Sequence, residues 1–118
     1  MELPKQVQDK LAQFQGLQNQ LQFMALQKQQ LMLQATDIDG ALTELEKVTN
    51  EKLYKTAGPL MIEANKKDIS AELKEKKETS EARIALLEKQ EKKLAEKLEE
   101  LGKELQAMLK GPSVPKAG

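Results

Sequence analysis

The chain has no cysteine, no histidine and no tryptophan among its 118 residues. Without cysteine there is no disulfide, no thiolate nucleophile and no thiolate metal ligand. Without histidine, the usual zinc sites and the one side chain that normally titrates near neutrality are missing too. Aromatic residues are scarce, two Phe and one Tyr, so there is little of the ring volume that fills a globular core. Neither sign of charge is in excess, because 19 Lys and Arg balance 19 Asp and Glu. That balance argues against a nucleic-acid binder held mainly by phosphate contacts. No apolar run approaches the roughly 20 residues of a membrane span, and the opening Met-Glu-Leu-Pro-Lys-Gln has no signal-peptide apolar stretch. A soluble cytoplasmic protein with no cofactor and no metal is the expectation.

What is present points to long helices. Hydrophobic residues make up 39% and charged residues 32% of the chain, a composition rich in Leu, Ala, Glu, Lys and Gln. Over residues 4–48 apolar side chains recur at steps of three and four: Val7, Leu11, Phe14, Leu17, Leu21, Met24, Leu31, Ala35, Ile38, Leu42 and Leu45, with Lys28 at one seam position. This is the seam of a coiled coil. Two successive steps of three, from Leu11 to Phe14 and from Phe14 to Leu17, so that 4-3-3-4 replaces 4-3-4-3, read as a stammer, a local overwinding of the coil. Pro4 suits the first turn, where its missing N–H costs nothing. Eleven glutamines between Gln6 and Gln34 are helix formers that add no charge.

Residues 68–110 carry a second seam: Leu73, Lys77, Ser80, Ile84, Leu87, Glu91, Leu94, Leu98, Leu101, Leu105 and Met108. Asp68 is the expected N-cap. Gly111-Pro112 is the expected stop, followed by a flexible tail to Gly118. Between the two seams the helical period is lost. Leu53-Tyr54-Lys55-Thr56 and Leu60-Met61-Ile62-Glu63 flank a Gly58-Pro59 turn signal, which predicts a β-hairpin over 52–64.

Two helices of about 43 residues, each about 65 Å long at 1.5 Å per residue, with a reversing element between them, predict an antiparallel pair in a single domain. Val7 would lie near Met108, Phe14 near Leu101, Leu21 near Leu94 and Ile38 near Lys77. Both chain ends would then meet at one tip, away from the hairpin. A lone hairpin is marginal in water. It has two unpaired edges and the apolar side chains Leu53, Tyr54, Leu60 and Ile62. Pairing with hairpins of other chains is the simplest way to satisfy them, so an oligomer joined through the β-elements is expected.

The stretch from Leu53 to Ile62, with its Tyr-Lys-x-x-Gly core, resembles the single hairpin of β-class prefoldin subunits. Glu72-Leu73-x-Glu75-Lys76 and Leu87-Glu88-Lys89-Gln90-Glu91 resemble the second helix of that class. Leu3-Pro4, Val7-Gln8, Leu11 and the Gln-Phe-Gln run at Phe14 resemble archaeal β subunits. One hairpin rather than two sets the chain apart from the α class. Pro59 after the glycine departs from the archaeal pattern and is shared with eukaryotic relatives. The resemblance spans essentially the whole chain. It implies an all-α-dominated fold whose single hairpin contributes to an oligomeric β-barrel body, in a hexamer of two α-class and four β-class subunits. It also implies an ATP-independent chaperone that grips unfolded clients with its coiled-coil tips and delivers them to a group II chaperonin.

On that reading, tip residues Leu3, Val7, Leu11, Leu105, Met108 and Leu109 are candidates for client binding. Phe23, Leu26 and Leu33, beside the seam, form a possible second stripe. Leu53, Tyr54, Gly58, Leu60 and Ile62 form the oligomerisation hairpin. Charged residues near the tip, Lys5, Lys10 and Lys103, are candidates for chaperonin docking. The lysine pairs Lys66-Lys67, Lys76-Lys77 and Lys92-Lys93 alternate with glutamates and have no aromatic platforms beside them, so they read as solvated helix faces rather than a nucleic-acid site. With no concave pocket to desolvate them, the many glutamates offer no paired catalytic carboxylates, and no catalytic residue is assigned. A structural coiled-coil scaffold for folded partners is the alternative, and it would have a polar tip.

Overall fold

In the computed structural model, residues 3–49 and 52–110 are described. The order of elements is helix α1 (Lys5–Lys47), strand β1 (Leu53–Ala57), strand β2 (Leu60–Ala64) and helix α2 (Lys66–Lys110). They fall into two compact units. The first combines the chain up to Gln27 with the chain from Leu87 onward; the second is Lys28–Leu86. The expected stop at Gly111-Pro112 and the tail lie outside the described residues.

The seams predicted from spacing are the sheltered positions. Every seam residue on both helices, including Lys28, Lys77, Ser80 and Glu91, is buried or half-buried. Burial is shallow, as expected for a single layer of side chains between two helices. Among the described residues only Val7, Leu45, Leu101 and Leu105 count as buried apolar core. In the first unit, Lys10 pairs with Glu104 at 2.6 Å and the Phe14 ring lies against Gly102. In the second, Lys77 pairs with Asp39 at 2.6 Å. These neighbours sit within one residue of the predicted antiparallel pairing.

Helix α2 begins earlier than expected, and Asp68 is not its N-cap. Asn65 takes that place: its Oδ1 accepts from the Asp68 backbone N–H at 2.8 Å, and its Nδ2 donates to Asp68 Oδ2 at 2.9 Å. Asp68 is thus the third helical residue, where its charge also favours the positive end of the helix dipole. At the other junction, Lys66 Nζ donates to the carbonyls of Glu46 and Val48, at 3.3 and 3.2 Å. It thereby satisfies acceptors left open at the end of α1. One lysine at the start of α2 therefore closes the end of α1.

Two glycines make opposite demands. A Cβ added at Gly102 would stand 3.3 Å from Phe14 Cε2, whereas one at Gly16 would meet nothing within 4 Å. Gly102 is the notch that admits the Phe14 ring where the seam of α1 takes its two short steps. Gly16→Ala should therefore raise stability by about 0.5–1 kcal/mol, the helix-propensity difference. Gly102→Ala should forfeit most of that gain by pushing on the ring. Urea unfolding of the two single variants checks this, and an equal gain in both would show that the notch has no packing role.

Candidate functional site

The hairpin closes through a two-residue loop, since Ala57 pairs with Leu60. Gly58 has φ of +61°, while the proline ring holds φ near −65°. A loop with φ positive at the first central residue and negative at the second matches a type II′ turn, which suits the twist of paired strands. The loop length then sets which side chains share a face. Leu53, Lys55 and Ala57 on β1 lie opposite Ala64, Ile62 and Leu60 on β2, and Tyr54 and Thr56 face Glu63 and Met61. Tyr54 is therefore on the face opposite Leu53, Leu60 and Ile62.

Both faces carry uncovered apolar surface. Leu60 is 62% exposed and Ile62 44% on one, Met61 72% and Tyr54 55% on the other. Spacing arguments missed Met61, although three consecutive apolar residues in a two-stranded sheet must divide between its faces. The sheet has only β1 and β2, so each strand also has an unpaired edge. Lys55 ties the hairpin to α2: its Nζ donates to Glu72 Oε1 at 2.7 Å. That hydrogen bond, and then the lysine charge itself, hold the Glu72 carboxyl below its ordinary 4.5. A carboxyl depressed on folding contributes stability above its unfolded pKa and loses it as pH falls through the folded value. In an NMR titration Glu72 should therefore titrate below its ordinary value. Lys55→Gln should move it back up toward that value, and an unmoved titration in the variant would refute the tie.

On the helices the candidate residues separate into two kinds. Of the six expected at the tip, Val7 and Leu105 are 4% and 5% exposed, so the seam itself takes them. Leu11 and Met108 are half-buried. Of the six, Leu3 and Leu109 are the exposed ones, at 39% and 57%. The stripe of Phe23, Leu26 and Leu33 is wholly outward, each residue about 60% exposed, at 62%, 60% and 59%. Met32 and Leu86 are also exposed. Met32 was not singled out by spacing because it falls between seam and stripe. Of the candidate docking charges, Lys10 is bound to Glu104 and Lys103 sits 3.6 Å from Glu99. No described residue forms a salt bridge with Lys5. Among the described residues no group of acidic side chains could hold a metal ion, and no helix is long and apolar enough to cross a membrane.

A family model described as prefoldin subunit matches residues 8–112. The prefoldin subunit beta of Thermococcus onnurineus is 47% identical over 109 residues, covering 92% of this chain and 94% of the relative. That of Archaeoglobus fulgidus is 44% identical over 118 residues, covering 99% and 98%. Among solved structures, the crystal structure of the prefoldin beta subunit from Thermococcus strain KS-1 matches with a TM-score of 0.82 at 45% identity, over 94% of this chain and 98% of that one. Two seamed helices, one exposed hairpin between them and these matches along nearly the whole length lead to one assignment: the chain belongs to the prefoldin subunit family, chaperones rather than enzymes, and within it to the beta class.

Proposed function

We propose that this chain is the β-class subunit of an ATP-independent holding chaperone, assembled through its hairpin with an α-class prefoldin subunit into a hexamer of two α and four β chains. It holds non-native polypeptides on apolar helix surfaces and passes them to a group II chaperonin. Family membership supports the chaperone role and the kind of partner. The observation that carries client holding is the set of large apolar side chains that the helix pair leaves uncovered, Phe23, Leu26, Leu33 and Leu109.

An interior of the same chain would hide such residues if it could. Leucine and methionine adapt to many partners because they repack readily. Each contact is weak, and several subunits acting on one client multiply the retention time without making any single contact slow to release. The hairpin supports the assembly half of the reading, since a two-stranded sheet with apolar side chains on both faces needs more cover than one chain provides.

The assembled complex should suppress aggregation of a chemically denatured protein, without nucleotide and in proportion to subunit concentration. Light scattering measures it. A complex confirmed by mass that leaves scattering unchanged would return the chain to the scaffold reading.

A further inference from the structure

The first unit has a groove between its helices in which amides and lysines accompany apolar side chains. Phe23, Met24 and Leu94 are its apolar lining, joined by the amide side chains of Gln20, Gln27 and Gln90. Lys93 and Lys97 complete the lining, and no carboxylate takes part in it. The α1 side brings no charge at all, because no residue from Leu11 to Gln27 is charged. On α2 the acids three residues beyond each lysine, Glu96 and Glu100, make no salt bridge to them, nor does any other described residue.

A second groove in the same unit serves as an internal contrast. Leu11, Phe14, Leu98 and Leu109 line it, but its charged members are Glu99 and Lys103, and these two face each other at 3.6 Å. Its charge is balanced within the groove, whereas the first groove has two positive charges with nothing opposite them.

We propose that the groove over Phe23, Met24 and Leu94 receives apolar segments of non-native polypeptides that are flanked by Asp or Glu, the carboxylates meeting Lys93 and Lys97. This rests on the client-holding reading above and adds a class of client segment to it. The apolar lining supplies affinity for any hydrophobic run. The lysines supply selection, because a carboxylate gains a partner there and an ammonium group is repelled. Both lysines are exposed, so each contributes the modest energy of a surface ion pair and the preference weakens with salt.

The test uses the full chain and labelled peptides with one Leu-Val-Phe-Leu core, flanked by Asp-Glu, by Asn-Gln or by Lys-Arg, with binding read by fluorescence anisotropy. The acid-flanked peptide should bind about three- to tenfold more tightly than the amide-flanked one at low salt, with the gap closing as salt rises. Lys93→Gln with Lys97→Gln should abolish the gap and leave binding of the amide-flanked peptide unchanged. Phe23→Ser should weaken both peptides alike. Equal affinity for the two peptides, or a preference that survives loss of both lysines, overturns the proposal. If amide-flanked peptide still binds and a denatured client is still protected, only this inference fails. If no peptide binds and no client is protected, the client-holding reading fails with it.

Discussion

Replacing Leu60 and Ile62 together by aspartate should dissolve the assembly and leave helix content largely intact. The two residues share one face of the hairpin with Leu53, and both are exposed, at 62% and 44%. Any oligomer that buries this face would have to bury two carboxylates, at a cost far above what a small apolar contact returns. The helices do not depend on this face. Their ends are closed by Asn65 and by the Lys66 hydrogen bonds to Glu46 and Val48, and their seam lies elsewhere. Native mass measurement should show free chains while far-UV circular dichroism stays near wild type. An unchanged complex would mean that the hairpin is not the assembly element. Met61→Asp, on the opposite face, shows separately whether assembly covers one face or both.

The second large effect is a dissociation between buried and exposed apolar residues. Removing residues 1–10 and 105–118 would abolish client holding if the chain ends grip the client, but it would also delete Val7 and Leu105, two of the four buried apolar residues among those described. A loss of activity would then be indistinguishable from a frayed coil. Serine at Leu3, Phe23, Leu26, Leu33 and Leu109 avoids that confusion, since all five are exposed. Aggregation suppression should fall steeply, because several subunits weaken together, while unfolding in urea changes little. The reverse pattern is expected of Leu105→Ala. It should cost about 2–4 kcal/mol and leave holding intact wherever the complex remains folded. A five-serine variant that protects a denatured client as well as wild type would remove these surfaces from the mechanism.

The seam was fully legible because each helix buries one narrow stripe, so the spacing of leucines alone reports which side chains face inward. The same reading placed Lys77 and Ser80 inside despite their polarity, and both are sheltered. Three features were not legible. The start of α2 depends on a reciprocal pair, Asn65 with Asp68, and the more familiar-looking aspartate hides the asparagine three residues before it. The faces of the hairpin depend on loop length. Alternation alone separates Tyr54 from Leu53, but only once Ala57 is known to pair with Leu60 do Leu60 and Ile62 fall on the face of Leu53 and Met61 on that of Tyr54. The split of the tip residues into sheltered and exposed depends on where the helical seam stops: Leu3 precedes the first residue of α1, and Leu109 stands one residue past the seam position Met108.

Among the described residues no large side chain is less than 2% accessible, and that has a thermal consequence. The heat-capacity increment of unfolding follows newly exposed apolar area, and globular domains give about 12–15 cal/mol/K per residue. A chain whose seam is already half in contact with water exposes less, so its own increment falls below that range. Its free energy of unfolding then bends gently with temperature, declining slowly on both heating and cooling from its maximum. Such a helix pair keeps much the same margin of order across a wide span of temperatures, without the deep interior that gives a globular enzyme its sharply peaked optimum.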